Sequence, residues 1–366
     1  MNLRIPDYVR DLKPYKSGNK LEGGITREGF KQMINLASNE NPFGPSPKAM
    51  EAMKNSISES NIYPDPGAIE LVDALAKYYN RDPKTIITGN GSDSLLQIAF
   101  NAFSCKDEEI LTAEATFIGC FVNANKLGRK LTKVPNKNYA YDLDAIASAV
   151  NENTRIIYLA NPNNPTGTMF AKDDFESFMD KIPNDILVIL DEAYWLYSAE
   201  FEEYPDGLDY NYSNLIVMRT FSKIYGLAGI RVGFAFAQSE IIDIMYRVKL
   251  PFEPSIIAQN GAIAALDDHD YVKMTIDTNT KCLRDIENTL KELNIDFVPG
   301  KANFTMTLWE SRSTAESFVK YMLQNGIVTR HLPMFGLDNA VRINSGTVDQ
   351  TNKAIDLIKK FKTENN

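Results

Sequence analysis

The sequence predicts an α/β protein: a large domain with a mostly parallel central sheet flanked by helices, plus a smaller α+β domain. Three observations carry this. Short apolar runs alternate with helical patterns from Thr85 to Ala237, as strands and crossover helices do in a parallel sheet. The run ILVIL (186–190) is apolar at every position and bounded by charge, which suits a strand buried on both faces. The chain has 366 residues, more than the ~250–300 at which one hydrophobic core stops growing.

In chain order, residues 1–42 read as an extended arm, polar and rich in Gly and Pro, that also joins the small domain. The large domain is expected over 43–249. In NPFGPSPKAMEAM, Ser and Pro can start a helix, and Ala49, Met50 and Met53 give it an apolar face. A turn at YPDP precedes a helical pattern at Ile69, Leu71, Val72, Leu75 and Ala76. Strands are predicted at TIIT (85–88), EILTAE, RKLTKV, TRIIYLA, DILVILDEAY, NLIVMRTFS and VGFAFA, with helices at SLLQIAFNAF, 142–150 and 172–181 between several of them. The character changes after Lys249, so the small domain is expected over 250–366. Helices are predicted at SIIAQNGAIAALDD, over 271–293, over 314–325 and at the end of the chain. Strands are predicted in FVPGKANFTMTLW, IVTRHL and AVRINSGT.

Composition removes several function classes. Hydrophobic residues at 44% and charged residues at 24% fit an ordinary globular enzyme. A net charge of -9 argues against a broad nucleic-acid footprint. Cys105, Cys120 and Cys282 form no zinc spacing and no disulfide framework, which fits a reducing cytoplasm. The first residues, MNLRIPDYVRDLKPY, lack a long apolar core, and no apolar run reaches the ~18–20 residues of a membrane span. No membrane partner is expected. DDHDY (267–271) reads as a solvated helix end, because adjacent helical positions point apart, and no metal is expected.

Four stretches carry chemistry. In TGNGSDS the glycines follow a strand and open a helix, so the amides of Gly91, Ser92 and Asp93 can face an anion. A phosphate site, a dinucleotide site and a plain helix cap all fit that stretch. NPNNPTG (161–167), after TRIIYLA, reads equally as a tight turn or a site at a strand's carboxyl end. Asp191 emerges from a buried strand and needs a positive partner, either a protonated ring nitrogen, a metal or a structural Arg. Lys223 ends the next strand. An amine, a carboxylate and the Tyr194 phenol beside an anion cradle suit pyridoxal phosphate, with Ser222 and Arg231 joining the phosphate site.

The set LASNENPFGPSP (36–47), YPDP (63–66), GNGSD (89–93), NPNNPTG, DEAY (191–194), TFSKIYGLAGIRVGF (220–234) and RINSGT (342–347) resembles the fold-type-I pyridoxal-phosphate aminotransferases. Within them it looks most like the histidinol-phosphate aminotransferase group, and the resemblance runs from about Tyr15 to Thr347. It implies transfer of an amino group between histidinol phosphate and 2-oxoglutarate or glutamate, in a cytoplasmic homodimer. Aromatic amino acid aminotransferases and a phospho-amino-acid decarboxylase share much of the pattern. By the same resemblance, Lys223 bonds the cofactor, Asp191 pairs with its ring nitrogen, and Asn164 and Tyr194 bind its phenolic oxygen. Gly91, Ser92, Asp93, Ser222 and Arg231 surround its phosphate, with Tyr63 reaching in from the other subunit. Phe117 stands where the family has a stacking Tyr, and Ser94 where many relatives have Glu. Tyr15, Asn39, Arg330 and Arg342 are the implied substrate contacts. His331, beside Arg330, reads as structural or as a further substrate contact.

Overall fold

A computed structural model describes residues 3–10, 12 and 33–364. The expected extended arm begins instead with a helical turn, Asp7–Arg10, that buries no residue. The next element among the described residues is a two-residue strand, β1 (Ile34–Asn35). Seven strands then build the main sheet: β2 (Ile86–Gly89), β3 (Glu109–Ala113), β4 (Lys130–Val134), β5 (Thr154–Ala160), β6 (Leu187–Asp191), β7 (Leu215–Thr220) and β8 (Gly233–Phe236). Their order is β2-β8-β7-β6-β5-β3-β4. Neighbours run parallel from β4 to β7, and β8 is antiparallel to both β7 and β2.

Every residue of β2, β3, β6, β7 and β8 is buried. Helices such as Ser92–Phe103, Ile118–Lys126, Leu143–Ala149 and Lys172–Met179 account for this, since a parallel sheet is covered on both faces. The edge strand β4 exposes Lys130 and Lys133, charges that discourage pairing with another chain. Helix ends follow local chemistry. The helix expected over 142–150 spans Leu143–Ala149, because the Asp142 side chain caps it and Val150 leaves the helical region. The Ser311 hydroxyl caps Arg312–Gln324 in the same way, moving that start ahead of the expected 314.

A second, antiparallel sheet has the order β12-β13-β10-β9, from β9 (Asp296–Val298), β10 (Phe304–Leu308), β12 (Arg330–Leu332) and β13 (Leu337–Asn344). The strand β11 (Ile327–Val328) pairs with β1, which ties the N-terminal segment to this part of the chain. Its core joins Ile286, Trp309, Phe318, Ile343 and Ile358. DDHDY opens the helix His269–Glu292 and exposes Asp267, His269 and Asp270, as expected of a helix end, but the stretch is solvated only in part. Asp268 and Tyr271 are buried, and the Tyr271 hydroxyl donates to the Gly44 carbonyl.

That carbonyl explains a glycine in TFSKIYGLAG. Gly226 has φ +70°, and a Cβ there would collide with the Gly44 carbonyl oxygen. The Asn41 amide donates to the Ile224 carbonyl at 2.7 Å. The 220–230 loop is thus fastened onto the segment at 41–44. Gly226→Ala should cost roughly 2 kcal/mol or more through strain and overpacking. Urea unfolding reads this directly, and a loss of only a few tenths would refute the fastening.

Candidate active site

Past the carboxyl ends of β5, β6 and β7 lies a cavity of about 180 Å³. Another, of about 600 Å³, opens between residues 114–139 and the turn at 334–337. Size does not decide between them; the smaller one gathers the reactive groups. Parallel pairing sets Ala160 beside Asp191 and Asp191 beside Met218. β5 and β6 therefore end level and β7 runs two residues further, and the three strand ends bring Asn164, Asp191 with Tyr194, and Ser222 with Lys223 to the cavity wall.

Thr220 shapes the turn that presents the lysine. Its hydroxyl accepts from the Ser222 N–H at 3.1 Å and donates to the Ser222 hydroxyl at 3.0 Å. Lys223 Nζ stands 5.5 Å from the centre of the Tyr194 ring. The Tyr194 hydroxyl accepts from the Asn39 amide at 2.7 Å. Asp191 is buried and accepts from the Tyr158 hydroxyl at 2.7 Å and from the Ala193 N–H at 3.1 Å. Burial pushes its carboxyl up to about 6. The Tyr158 and Ala193 bonds and the Lys223 charge pull it down, and Asp93 adds to the rise.

The other end of the cavity is built for an anion. The helix Ser92–Phe103 starts there without a side-chain cap, at Gly91 with φ +84°. A Cβ on Gly91 would lie 2.5 Å from Arg231 Nη2, so the glycine lets the guanidinium sit over the helix start. Arg231 Nη1 donates to the Ala228 carbonyl at 3.0 Å and reaches the Ser222 hydroxyl at 3.5 Å. The Asp93 carboxylate is turned aside, accepting from the Asn123 amide at 2.9 Å. Phe117 forms a wall.

Arg342, on β13, joins the second sheet to the cavity. It donates to the Asn164 side-chain oxygen, and through Nη2 to the Ala37 carbonyl at 2.6 Å. Arg330 lies directly across the strand pair from Arg342 and donates to Met334 Sδ at 2.8 Å. His331 bonds the Asp338 carbonyl within the same sheet. Tyr63 is 79% exposed, stacked on Phe252 and outside the cavity wall. Tyr15 lies outside the described residues.

Sequence reasoning missed the support behind the wall. Arg219 donates to Glu192 at 2.7 and 2.9 Å, pairs with Asp206, and lies 3.8 Å over the Trp195 ring. Although burial lowers its pKa, the Glu192 carboxylate first and Asp206 after it hold that guanidinium above its ordinary value. An Arg inside the apolar run LIVMRT was the available signal, because a buried charge requires a partner. Tyr158 was also missed, although a tyrosine in an otherwise apolar buried strand needs a partner for its hydroxyl.

The chain belongs to the aminotransferase class I and II family, whose model matches residues 31–358. In particular, it is 37% identical over 350 residues to the histidinol-phosphate aminotransferase of Halalkalibacterium halodurans, covering 95% of this chain and 94% of that one. It is 35% identical over 353 residues to histidinol-phosphate aminotransferase 2 of Carboxydothermus hydrogenoformans, covering 96% and 97%. The solved histidinol-phosphate aminotransferase of Sinorhizobium meliloti, in complex with pyridoxal-5'-phosphate, shares the fold. Its TM-score is 0.89 at 24% identity, over 99% of this chain and 98% of that one.

The cavity fits that cofactor on its own terms. A phosphate matches the uncapped helix start beneath Arg231, where Gly91 leaves no room for a Cβ. A pyridinium nitrogen matches the buried Asp191 carboxylate, and an amine stands near Tyr194.

The raised carboxyl of Asp191 has a consequence for stability. The folded protein holds this proton more tightly than the unfolded chain, whose value is 3.8. The contribution is full below the unfolded value and is lost as pH rises through about 6. Between about pH 4 and 7, ligand-free parent protein should therefore lose roughly 2 kcal/mol relative to Asp191→Asn. Urea unfolding across that range measures it; a pH-independent difference would show that Asp191 titrates normally.

Proposed function

We propose that this aminotransferase uses pyridoxal phosphate to move the amino group of histidinol phosphate to 2-oxoglutarate, serving histidine biosynthesis as a homodimer. The observation that carries the reading is the meeting of Lys223 and Asp191 in one cavity whose far end is an anion cradle. The names of the full-length relatives support the donor.

Pyridoxal phosphate supplies an electrophilic carbonyl and an electron-accepting ring. The chain's own groups do the rest. Lys223 Nζ holds the cofactor and, when released, takes the proton from the donor's Cα. Asp191 keeps a proton on the ring nitrogen. Tyr194 and Asn164 orient the phenolic oxygen, and Phe117 stacks on the ring. Gly91, Ser92, Asp93, Ser222 and Arg231 fix the phosphate. Arg342 and Arg330 meet the substrates' anions. The two arginines are cross-strand partners in the register of β12 and β13, which puts both on the sheet that adjoins the cavity. Asn39 acts on this site through its bond to Tyr194.

Turnover of histidinol phosphate, phenylalanine and tyrosine tests the donor, with Lys223→Ala as the inactive control. Arg330→Ala should lower kcat/KM for histidinol phosphate roughly 10- to 100-fold, the ~1.5–3 kcal/mol of hydrogen bonds to a charged group. Phenylalanine, which lacks a distal anion, should suffer far less. A parent that uses phenylalanine at least as well as histidinol phosphate would make it an aromatic aminotransferase.

The homodimer reading draws on an exposed apolar face. Tyr63, Ile62, Leu250 and Phe252 are all exposed. Lys249 holds their two loops together, donating to the Pro66 carbonyl at 2.9 Å and the Glu253 carbonyl at 2.7 Å. If Tyr63 completes a neighbour's site, mixing inactive Lys223→Ala with inactive Tyr63→Ala should restore activity in heterodimers. In each heterodimer one site carries both lesions and the other neither. No recovery despite demonstrated subunit exchange rules out a shared site.

A further inference from the structure

We propose that Tyr158 is a positioning residue: its hydroxyl, bonded to Asp191 Oδ2 inside the sheet, keeps that carboxylate ionised and aimed at the cofactor's ring nitrogen. The inference rests on the proposed pyridoxal-phosphate site.

The sheet register supplies the geometry. Ala160 of β5 lies opposite Asp191 of β6. Tyr158 is two residues earlier on β5, so it shares a face with Ala160 and is the diagonal neighbour of Asp191. A diagonal gap of ~7–8 Å is within reach of an aromatic side chain. The Tyr158 ring spans it and brings the hydroxyl to 2.7 Å from Oδ2. Phenylalanine would fill the same space and supply no donor.

Tyr158 is fully buried. Burial, the charge on Asp191, and Tyr141 and Cys120 nearby push its own proton loss well above the ordinary range, so the hydroxyl acts as a donor. The charged and titratable groups around Asp191 come from four directions. Tyr158 comes from β5, Lys223 from the loop after β7, Asp93 from the helix Ser92–Phe103 and the Cys120 thiol from Ile118–Lys126. Among the influences that favour ionisation, the Tyr158 bond ranks ahead of the Ala193 N–H and the Lys223 charge. Lys223 is also the group whose charge state must change during turnover, whereas Tyr158 acts continuously. The two bonds engage both carboxylate oxygens: the Ala193 N–H donates to Oδ1 and the Tyr158 hydroxyl to Oδ2. This pins the carboxylate in one orientation.

The sign follows. Tyr158→Phe removes a donor to the charged form, so the Asp191 carboxyl moves up and stays protonated to higher pH. A neutral acid cannot hold a proton on the ring nitrogen.

Three measurements decide it. In ligand-free protein labelled with 13Cγ-aspartate, the Asp191 signal is the one missing from Asp191→Asn. Its midpoint should rise by roughly one to two pH units in Tyr158→Phe. An unchanged midpoint overturns the proposal. The second needs no Tyr158 variant: with 13Cζ-tyrosine in the parent, one signal should follow the Asp191 midpoint and cease to respond in Asp191→Asn. Absence of such a signal is equally fatal.

The third uses holoenzyme. The acid limb of kcat should shift to higher pH in Tyr158→Phe, with donor KM within about two-fold and kcat approaching the parent's at high pH. A uniform loss of kcat at every pH would mean a packing role only. A parent inactive with every amino donor would remove the proposed function and the role toward the cofactor, while the two ligand-free titrations would still report the Tyr158–Asp191 coupling.

Discussion

Parallel register across β5, β6 and β7 sets Ala160, Asp191 and Met218 side by side, and the site depends on that alignment. A slip of one residue in β6 would turn Asp191 to the opposite face. Strands that are apolar on both faces specify register weakly, since every position suits every other. Polar groups at the strand ends supply what the apolar interior lacks. At the amino ends, buried Glu109 accepts from Thr132 and Thr154 and pairs with Lys130, tying β3 to β4 and β5. The Asn214 amide donates to the Ile186 carbonyl at 2.8 Å, fixing the start of β7 against β6. Near the carboxyl ends, Arg219 of β7 grips Glu192, one residue beyond β6.

The same alignment explains why charge is tolerated so deep in the molecule. Arg219 and Glu192 are almost wholly removed from water. Such a pair contributes little net stability, yet either member alone would be a severe liability. Its value here is geometric: it joins the residue after Asp191 to a residue four before Lys223. The Gly207 N–H, donating to Glu192 at 2.7 Å, extends the hold to the 206–209 turn. The acid at the end of β6 and the strand that leads into the Lys223 loop are thus braced as one unit.

Much of this was legible in the sequence, for identifiable reasons. TRIIYLA and ILVIL carry their burial in composition, so their strands and the crossover pattern follow. Asp191 closes β6, and Asn164 and Lys223 follow β5 and β7 within a few residues, where a tight turn or a structural ion pair competed with a site in the sequence. The reversed direction of β8 was harder, since VGFAFA has no directional signal. Its signal was spacing: residues 221–232 hold no crossover helix, and a parallel return requires one. The helical turn Asp7–Arg10 buries nothing and so leaves no apolar pattern to read. Tertiary partnerships were out of reach. Nothing near RINSGT shows that Arg342 meets Asn164, 178 residues away.

Arg342 also changes what recognition means here. Its guanidinium already satisfies an amide oxygen and a backbone carbonyl. Under the proposed function an arriving carboxylate would enter as a competitor, its affinity the difference between two sets of bonds. Water has largely been stripped from the arginine in advance, so the exchange avoids much of the desolvation that a hydrated cation would impose. Displaced oxygens on Asn164 and Ala37 must then find other donors. Occupancy at one guanidinium is in this way felt on the loop after β5 and on the N-terminal segment together, through a trade of partners.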